Sequence, residues 1–472
     1  MLQEKYDVII VGSGPAGIFT AYELMLKCPE KKVLLVDKGY DINDRNCPIL
    51  NKKIKQCPKD LSGHSGCKPS CSMTAGFGGS GAYSDGKFNI TNEFGGWMSE
   101  YLDEDEVLDL IKYVDNINLE HGAPKELTDP TTRAVFEIEK QGMGVGLKLL
   151  KGQVRHLGTE VNLEVLRSIN RTLKEHIDCL FKTYVDDILV EDGVVKGVVL
   201  EKGRIIKADY VVLGVGRGGS EWQSKVLTKH GIKFKNNRVD VGVRVETNDI
   251  IMENINKNLY EGKFIFNTSV GTQVRTFCSN PSGHVVVENH EGIMVCNGHS
   301  FHDEKLGSRN TNFALLVSHE FDDPFNDPNE YAHAISHLAN KLSGGGVIVQ
   351  KYGDILRGRR STKKRIEEGF VKPTLKEAVP GDLGLILPYN TMKSLIEMIE
   401  ALNYVTPGIA SDHTLFYGVE AKFYSDRVEV DNNFETAIKN LYVGGDGAGI
   451  TRGLAQAGAN GVKIARSIKE KK

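Results

Sequence analysis

Residues 6–11, YDVIIV, form an apolar, β-branched run that passes without a break into Gly12-Ser13-Gly14-Pro15-Ala16-Gly17 and then into IFTAYELMLK, where Ile18, Tyr22 and Met25 recur at helical spacing. Such a run suits a strand buried on both faces of a parallel sheet. Three glycines in G-x-G-x-x-G order between a strand and a helix narrow the possible folds, because each has a separate steric duty. Gly12 makes the tight turn, Gly14 lets backbone approach a pyrophosphate, and Gly17 lets the helix sit close to the strand. The phosphate then meets a helix N-terminus, where N–H groups and the dipole favour negative charge. A second apolar run, KKVLLVD, ends in Asp37, 20 residues past Gly17 and placed to accept hydrogen bonds from ribose hydroxyls. An acid there repels a 2′-phosphate. The order of strand, glycines, helix, strand and acid predicts a dinucleotide site.

The chain has 472 residues, enough for two domains or one domain with a large insertion. Its 59 basic and 62 acidic side chains give a formal charge of −3, so no bulk field recruits nucleic acid or anionic lipid. No apolar run approaches the length of a membrane span, and MLQEKYDVIIVGSG lacks the pattern of an export signal. Eight cysteines are too few for a disulfide scaffold of this length. The expectation is a cytoplasmic protein with neither a nucleic-acid nor a membrane partner.

Residues 181–199, FKTYVDDILVEDGVVKGVV, are two β-rich runs joined at Glu191-Asp192-Gly193, a hairpin signal. Residues 209–217, DYVVLGVGR, are a further buried strand opening into glycines, and 440–458, NLYVGGDGAGITRGLAQAG, give a last strand, a glycine turn around Asp446 and a small-residue helix. In this order the motifs resemble the two-dinucleotide-binding-fold flavoproteins of the glutathione reductase and geranylgeranyl reductase kind. The resemblance implies that Leu213-Gly214-Val215-Gly216 stands where those proteins carry an alanine-threonine-glycine motif. It implies too that Asp446 meets the ribityl chain of FAD, and that the helix after Thr451 points its N-terminus at the pyrimidine edge of the flavin.

Longer stretches, FGGSGAYSDGK (77–87), RTFCSNPSG (275–283), NTNFALLV (310–317), GDILRGRRST (353–362), PGDLGLILP (380–388) and FYGVEAKFYSDR (416–427), are similar to a bacterial group of FAD-dependent, or FAD-utilising, dehydrogenases over nearly the whole chain. Asp446 with Thr451-Arg452-Gly453-Leu454 suggests a distinct subgroup. The resemblance implies an α/β fold: a Rossmann-like FAD-binding domain with a parallel sheet, interrupted by an inserted α+β substrate domain. It also implies an oxidoreductase moving hydride or electrons between FAD and a small-molecule substrate, with NAD(P)H or a ferredoxin-like protein as possible electron donor. The expected division is 1–240 for the first part of the FAD domain, including a Cys-rich loop at 45–75, then 241–404 for the insert and 405–472 for the C-terminal part. In the insert, VDVGVRVE, GKFIFNTS, GHVVVE and GIMVCNG read as an antiparallel sheet, and NEYAHAISHLANKLS and TMKSLIEMIEALNY as helices.

Gly76, Gly78, Gly79, Gly81 and Gly86 stud the loop GFGGSGAYSDGK, which in similar flavoproteins lies along the pyrophosphate and flavin edge. The fingerprint and the resemblance together give these cofactor-binding residues: Gly12, Ser13, Gly14, Pro15, Ala16, Gly17, Asp37, Lys38, Gly78, Gly79, Ser80, Gly81, Ser84, Val185, Gly214, Gly216, Gly445, Asp446, Gly453 and Leu454. No catalytic residue is fixed. Lys87 can stabilise charge on the flavin or pair with phosphate or solvent, while Arg275, Cys278, His284 and His299 are candidates in the insert sheet. Arg357, Arg359 and Arg360, beside Ser361 and Thr362, suit an anion or form a solvated basic loop. Cys47, Cys57, Cys67 and Cys71, with His64 nearby, match no standard ligand spacing. No metal is expected. The alternative is that these cysteines form a metal or iron–sulfur site or a redox dithiol, in a flavoprotein of sulfur chemistry or RNA modification.

Overall fold

A computed structural model describes residues 3–48, 51–54, 67–84, 86–259, 261–290, 292–300, 304–325 and 327–471. The chain divides into two compact units, one built from residues 1–127, 152–235 and 425–472, the other from 128–151 and 236–424.

The first unit is organised by strands β1 (Lys5–Val11), β2 (Val33–Val36), β3 (Asp178–Leu180), β4 (Val185–Glu191), β5 (Val194–Leu200), β6 (Ile205–Leu213) and β7 (Leu441–Val443). Their order is β3-β2-β1-β6-β5-β4, with β7 also on β6. β3, β2, β1, β6 and β7 run parallel, and the hairpin β4–β5 is antiparallel, as the Asp192-Gly193 turn predicts. β1 lines one edge of β6 from Lys5↔Lys207 to Val11↔Leu213. The other edge is therefore shared: β5 pairs the start of β6 through Gly197↔Lys207, and β7 pairs its end through Val443↔Leu213. Val8, Ile9, Ile10 and all of β2 are buried, as strands covered on both faces must be.

Helices α1 (Pro15–Lys27), α2 (Glu104–Glu120), α3 (Thr159–His176) and α4 (Leu454–Glu470) pack around this sheet. α1 and α4 meet backbone to backbone. A Cβ on Gly458 would lie 2.9 Å from the Phe19 ring, and the Thr20 hydroxyl donates to the Gly461 carbonyl at 3.1 Å. Small residues at 455, 457, 458, 459 and 461 make that approach possible, which explains the composition of the last helix.

The second unit holds an eight-stranded sheet in the order Val379–Pro380, Ile348–Lys351, Leu415–Lys422, Val239–Asn248, Asn310–His319, Gln273–Asn280, Lys263–Asn267, Leu147–Leu150. Val239, Val241, Val243 and Val245 join the apolar core with Met398, Ile399 and Leu402 of helix Tyr389–Val405, while Asp240, Arg244 and Glu246 alternate onto the opposite face. Of the four segments expected in one antiparallel sheet, VDVGVRVE and GKFIFNTS lie in this sheet, whereas GHVVVE and GIMVCNG form a separate two-stranded sheet, His284–His290 with Ile293–His299, and the two predicted helices are present as Pro328–Leu342 and Tyr389–Val405. The unit boundaries depart from 241–404. Residues 405–424 belong here because Leu415–Lys422 pairs with Val239–Asn248 and Ile348–Lys351, and 128–151 belong here because Leu147–Leu150 pairs with Lys263–Asn267. Both pairings join segments far apart in sequence, which local patterning does not reveal. No described helix is long and apolar enough to cross a membrane.

Candidate functional site

Three glycine turns leave the C-terminal ends of β1, β6 and β7 and are bonded to one another. Gly214 N–H donates to Val11 at 2.8 Å, Gly444 N–H to Leu213 at 3.0 Å, and Gly447 N–H to Val215 at 3.0 Å. The fit is tight enough that a Cβ on Gly17 would fall 1.9 Å from the Gly12 carbonyl oxygen, and one on Gly447 would fall 2.6 Å from that of Val215. Gly12 adds a φ of +101°, a region that side chains disfavour. At other positions of the same turns the geometry is open: a Cβ at Gly14, Gly216 or Gly453 meets no heavy atom within 4 Å. The frame is thus packed against itself and leaves three stretches of bare backbone.

The loop containing Gly76 to Ser84 bridges the first turn and the last. Gly78 N–H donates to Ser13 at 2.8 Å, a Cβ on Gly79 would lie 3.3 Å from the Gly14 Cα, and one on Gly81 would lie 2.3 Å from Leu454 Cδ2. Two side chains hold it. Asn162 of α3 donates to the Gly81 carbonyl at 2.8 Å. Arg45, almost fully buried, donates from Nη1 to Phe77 at 2.6 Å, from Nε to Ser72 at 2.9 Å and from Nη2 to Met73 at 3.0 Å. Burial draws the Arg45 pKa down. Nothing in the local pattern DRNC signals this clamp. Ser84 Oγ donates to the Gly81 carbonyl at 2.7 Å, Ser80 is exposed, and Lys87 begins strand Lys87–Ile90 opposite His156. Asp85 lies outside the described residues.

Two carboxylates flank the frame. Asp37 Oδ2 accepts from the Ser13 N–H at 2.7 Å and its hydroxyl at 2.8 Å, and Oδ1 accepts from Gly39 N–H at 2.7 Å. Lys38 Nζ donates to the Gly218 carbonyl at 2.8 Å, and the side chain of Val185, at the start of β4, is buried. Asp446 accepts from the Thr451 hydroxyl at 2.9 Å. Burial pushes its carboxyl pKa up, against the opposing pull of Arg217, the Thr451 hydroxyl, Arg452 and the Gly453 N–H. The Asp446 turn is fixed from behind, where Asn460 accepts from Gly445 N–H at 3.0 Å. A strap at 94–97 covers the turn that follows: Trp97 N–H donates to Ile450 at 2.9 Å and Arg452 N–H to Gly95 at 2.7 Å. Neither Asn460 nor the strap stands out in the sequence.

The candidates of the second unit are engaged within that unit. Arg275 is ion-paired with Asp240 and donates to the Tyr424 hydroxyl. Cys278 sits in a bulge at φ +48°, with its carbonyl accepting from Arg244 Nη2 at 2.8 Å. His284 and His299 face each other across a hairpin, His284 Nε2 lying 3.0 Å from the Leu306 carbonyl. Arg357 pairs with Asp412 at 2.8 Å, Arg359 with Asp354 at 2.6 Å, and Arg360 lies 3.4 Å from the Pro380 carbonyl. Two of the three arginines of that loop therefore already have carboxylate partners. Cys47 and Cys71 are half-buried and in no disulfide, and Cys57 and His64 lie outside the described residues. Among the described residues no three His, Cys, Asp or Glu side chains converge as a metal site.

Residues 238–423 match the family described as "FAD-dependent protein, C-terminal domain-like". The matched family is FAD-dependent. An uncharacterized protein of Clostridium beijerinckii is 28% identical over 490 residues, covering 99% of this chain and 81% of that protein. Among solved structures, L-proline dehydrogenase from P. horikoshii is similar at a TM-score of 0.37 and 14% identity, over 100% of this chain and 95% of that one. Glycine oxidase from Bacillus cereus is similar at a TM-score of 0.37 and 14% identity, over 99% and 96%. Similarities of that size assign no substrate.

Proposed function

We propose that this chain is an FAD-dependent oxidoreductase that moves hydride or electrons between FAD and a small organic substrate. One observation carries the reading: three glycine turns are hydrogen-bonded to one another, hold the carboxylates of Asp37, through Ser13, and of Asp446, through Thr451, and leave open space at Gly14, Gly216 and Gly453. A dinucleotide needs that donor set. The Gly14–Gly17 backbone at the start of α1 holds a pyrophosphate, favoured by the helix dipole. Asp37 keeps acceptor capacity for a ribose hydroxyl beyond its bonds to Ser13 and Gly39, with Lys38 and Val185 beside the adenosine. Gly78, Gly79, Ser80, Gly81 and Ser84 close over the pyrophosphate, Gly214, Gly216 and Gly445 form the floor, and Asp446 accepts from the ribityl chain. Gly453 and Leu454 begin α4, whose N-terminus favours negative charge on the pyrimidine edge.

When bound, FAD supplies the electron-transfer chemistry. The second unit, with the match at 238–423, is assigned substrate recognition by analogy of organisation. Lys87 is the first candidate for a charged group serving the cofactor. NAD(P)H or a ferredoxin-like protein is the proposed donor, and the cytoplasm the proposed compartment. The test is an absorbance spectrum of the purified protein, then anaerobic titration with NADH, NADPH and a panel of small acids and unsaturated compounds. A flavin spectrum that bleaches with one of them is expected. A colourless protein that takes up no FAD refutes the reading.

A further inference from the structure

Arg217 belongs to the turn that leaves β6, and the cofactor assignment above gives it no part. Three contacts locate that turn. Gly214 packs on the first glycine turn, where its Cβ would lie 3.1 Å from the Gly17 nitrogen. The Gly216 carbonyl oxygen faces the last turn, 2.9 Å from where Gly447 would carry a Cβ. The Gly218 carbonyl accepts from Lys38, the residue after Asp37, at 2.8 Å. Arg217 therefore branches from a short stretch of chain that meets the Gly12–Gly17 turn, the Asp446 turn and the end of β2.

Backbone contacts fix this stretch and leave the side chain unused. Gly219 N–H donates to Gly216 at 2.8 Å, and Ser220 Oγ donates to the Arg217 carbonyl at 2.7 Å. Arg217 itself is exposed, and its guanidinium makes no hydrogen bond or ion pair among the described residues. The glycines on either side of it, Gly216 and Gly218, have open space where a Cβ would stand. Its charge is nevertheless felt inside the frame. Among the groups that oppose the effect of burial at Asp446, Arg217 acts most strongly.

Charge balance gives that guanidinium a task. A pyrophosphate brings about one negative charge per phosphate, into a frame that already holds the carboxylates of Asp37 and Asp446. The N-terminus of α1 supplies only about half an elementary charge against them. Lys38 already donates to the Gly218 carbonyl, whereas the N–H donors of Arg217 are uncommitted. A guanidinium fork matches paired phosphate oxygens, which an ammonium does not.

We propose that Arg217 binds the pyrophosphate of FAD and offsets the repulsion from Asp37 and Asp446, a role that rests on the flavin reading above. Gly216 and Gly218 leave the side chain room to fold back over the bound phosphates.

The test is equilibrium dialysis of the full-length protein against FAD at low and high salt. Arg217→Ala is expected to raise the FAD dissociation constant about tenfold at low ionic strength. The gap should narrow in about 0.5 M NaCl, where the lost attraction is screened in the wild type as well. Arg217→Lys, which keeps the charge without the fork, should recover part of the loss. Most of the Arg217→Ala penalty should persist in an Asp446→Asn background, because the guanidinium acts on the phosphates and not through that carboxyl. Wild-type affinity in Arg217→Ala, a penalty that salt leaves unchanged, or one that disappears in Asp446→Asn would each overturn the role of Arg217 and leave the flavin reading standing. A wild-type protein that binds no FAD overturns both.

Discussion

Gly461 of α4 lies so close to Ala16 of α1 that a Cβ there would fall 2.1 Å from the Ala16 carbonyl oxygen. The two residues belong to opposite ends of the chain, and their contact keeps the Gly445–Gly447 turn against the Gly12–Gly17 turn. Gly461→Ala must push the helices apart. Overpacking of this kind costs about 1–3 kcal/mol, and the loss is expected in urea unfolding. Gly346→Ala is the control, because its Cβ meets nothing within 4 Å and its φ is not positive. It should change stability by less than about 0.5 kcal/mol. Equal effects of the two substitutions would contradict the packing described here.

Gly14→Ala separates folding from cofactor binding. Gly14 has φ −76° and ψ −177°, which any residue adopts, and its Cβ would touch no protein atom. The variant should therefore unfold at the same urea concentration as the wild type without cofactor. A methyl group at that point would stand where a pyrophosphate must approach the backbone, so FAD content after purification should fall at least about tenfold. A Gly14→Ala protein that keeps its full flavin would place the cofactor somewhere else.

Much of the first unit was legible because its signals are local. The Gly12–Gly17 fingerprint, the acid at Asp37, the Asp192-Gly193 hairpin and the strand and turn ahead of Ala455 each fit within one strand–turn–helix or hairpin unit, where spacing and composition carry the geometry. The illegible parts depend on distant pairings. Leu415–Lys422 falls within the range expected for the C-terminal part of the cofactor domain, and only its register with Val239–Asn248 moves it to the second unit. Arg45 clamps three carbonyls about 30 residues away, and backbone carbonyls leave no residue type to recognise. The candidates Arg357 and Arg359 illustrate a different limit of local pattern. Their residue type suits an anion, and residue type alone does not reveal that each already holds a carboxylate of its own unit.

The Arg45 clamp predicts a conformational effect with no direct contact to the cofactor. Arg45→Met keeps the bulk and leaves the carbonyls of Ser72, Met73 and Phe77 without these donors. Proteolysis in the 67–84 segment should accelerate, and added FAD should slow it again if Gly78–Gly81 closes on the cofactor. Arg45→Lys, a point donor in place of a fork, should rescue only in part. Unchanged proteolysis in Arg45→Met would remove Arg45 from this role.

Asp446→Asn should move stability and cofactor affinity in opposite directions. Because burial raises the folded pKa above the ordinary 3.8, Asp446 contributes stability that is fully present below that value and is lost as pH rises through the raised value. In cofactor-free protein at neutral pH, the neutral Asn variant should therefore melt higher than the wild type. It also gives up the charged acceptor proposed for the ribityl chain, so FAD should bind about tenfold more weakly. Lower melting together with unchanged FAD affinity would be the reverse of both expectations.

His121 supplies the pH test for the first unit as a whole. It closes the C-terminal end of α2, 2.9 Å from the Tyr22 hydroxyl of α1 and 2.8 Å from Ser168 Oγ of α3, so one ring joins three helices. Burial lowers its pKa below the ordinary 6.5, with Glu120 opposing more weakly. The unfolded chain then takes up a proton at His121 before the folded one does. Stability from this group is complete above 6.5 and drains away as pH falls from 6.5 through the lowered folded value. His121→Gln keeps hydrogen-bonding capacity toward Tyr22 and Ser168 without a titrating ring. Urea midpoints measured from about pH 8 to pH 5 should therefore fall more steeply for the wild type than for His121→Gln, the two curves converging toward acid pH. Parallel curves would mean that His121 takes up its proton equally readily in the folded and unfolded chains, and that its burial does not disfavour the protonated ring.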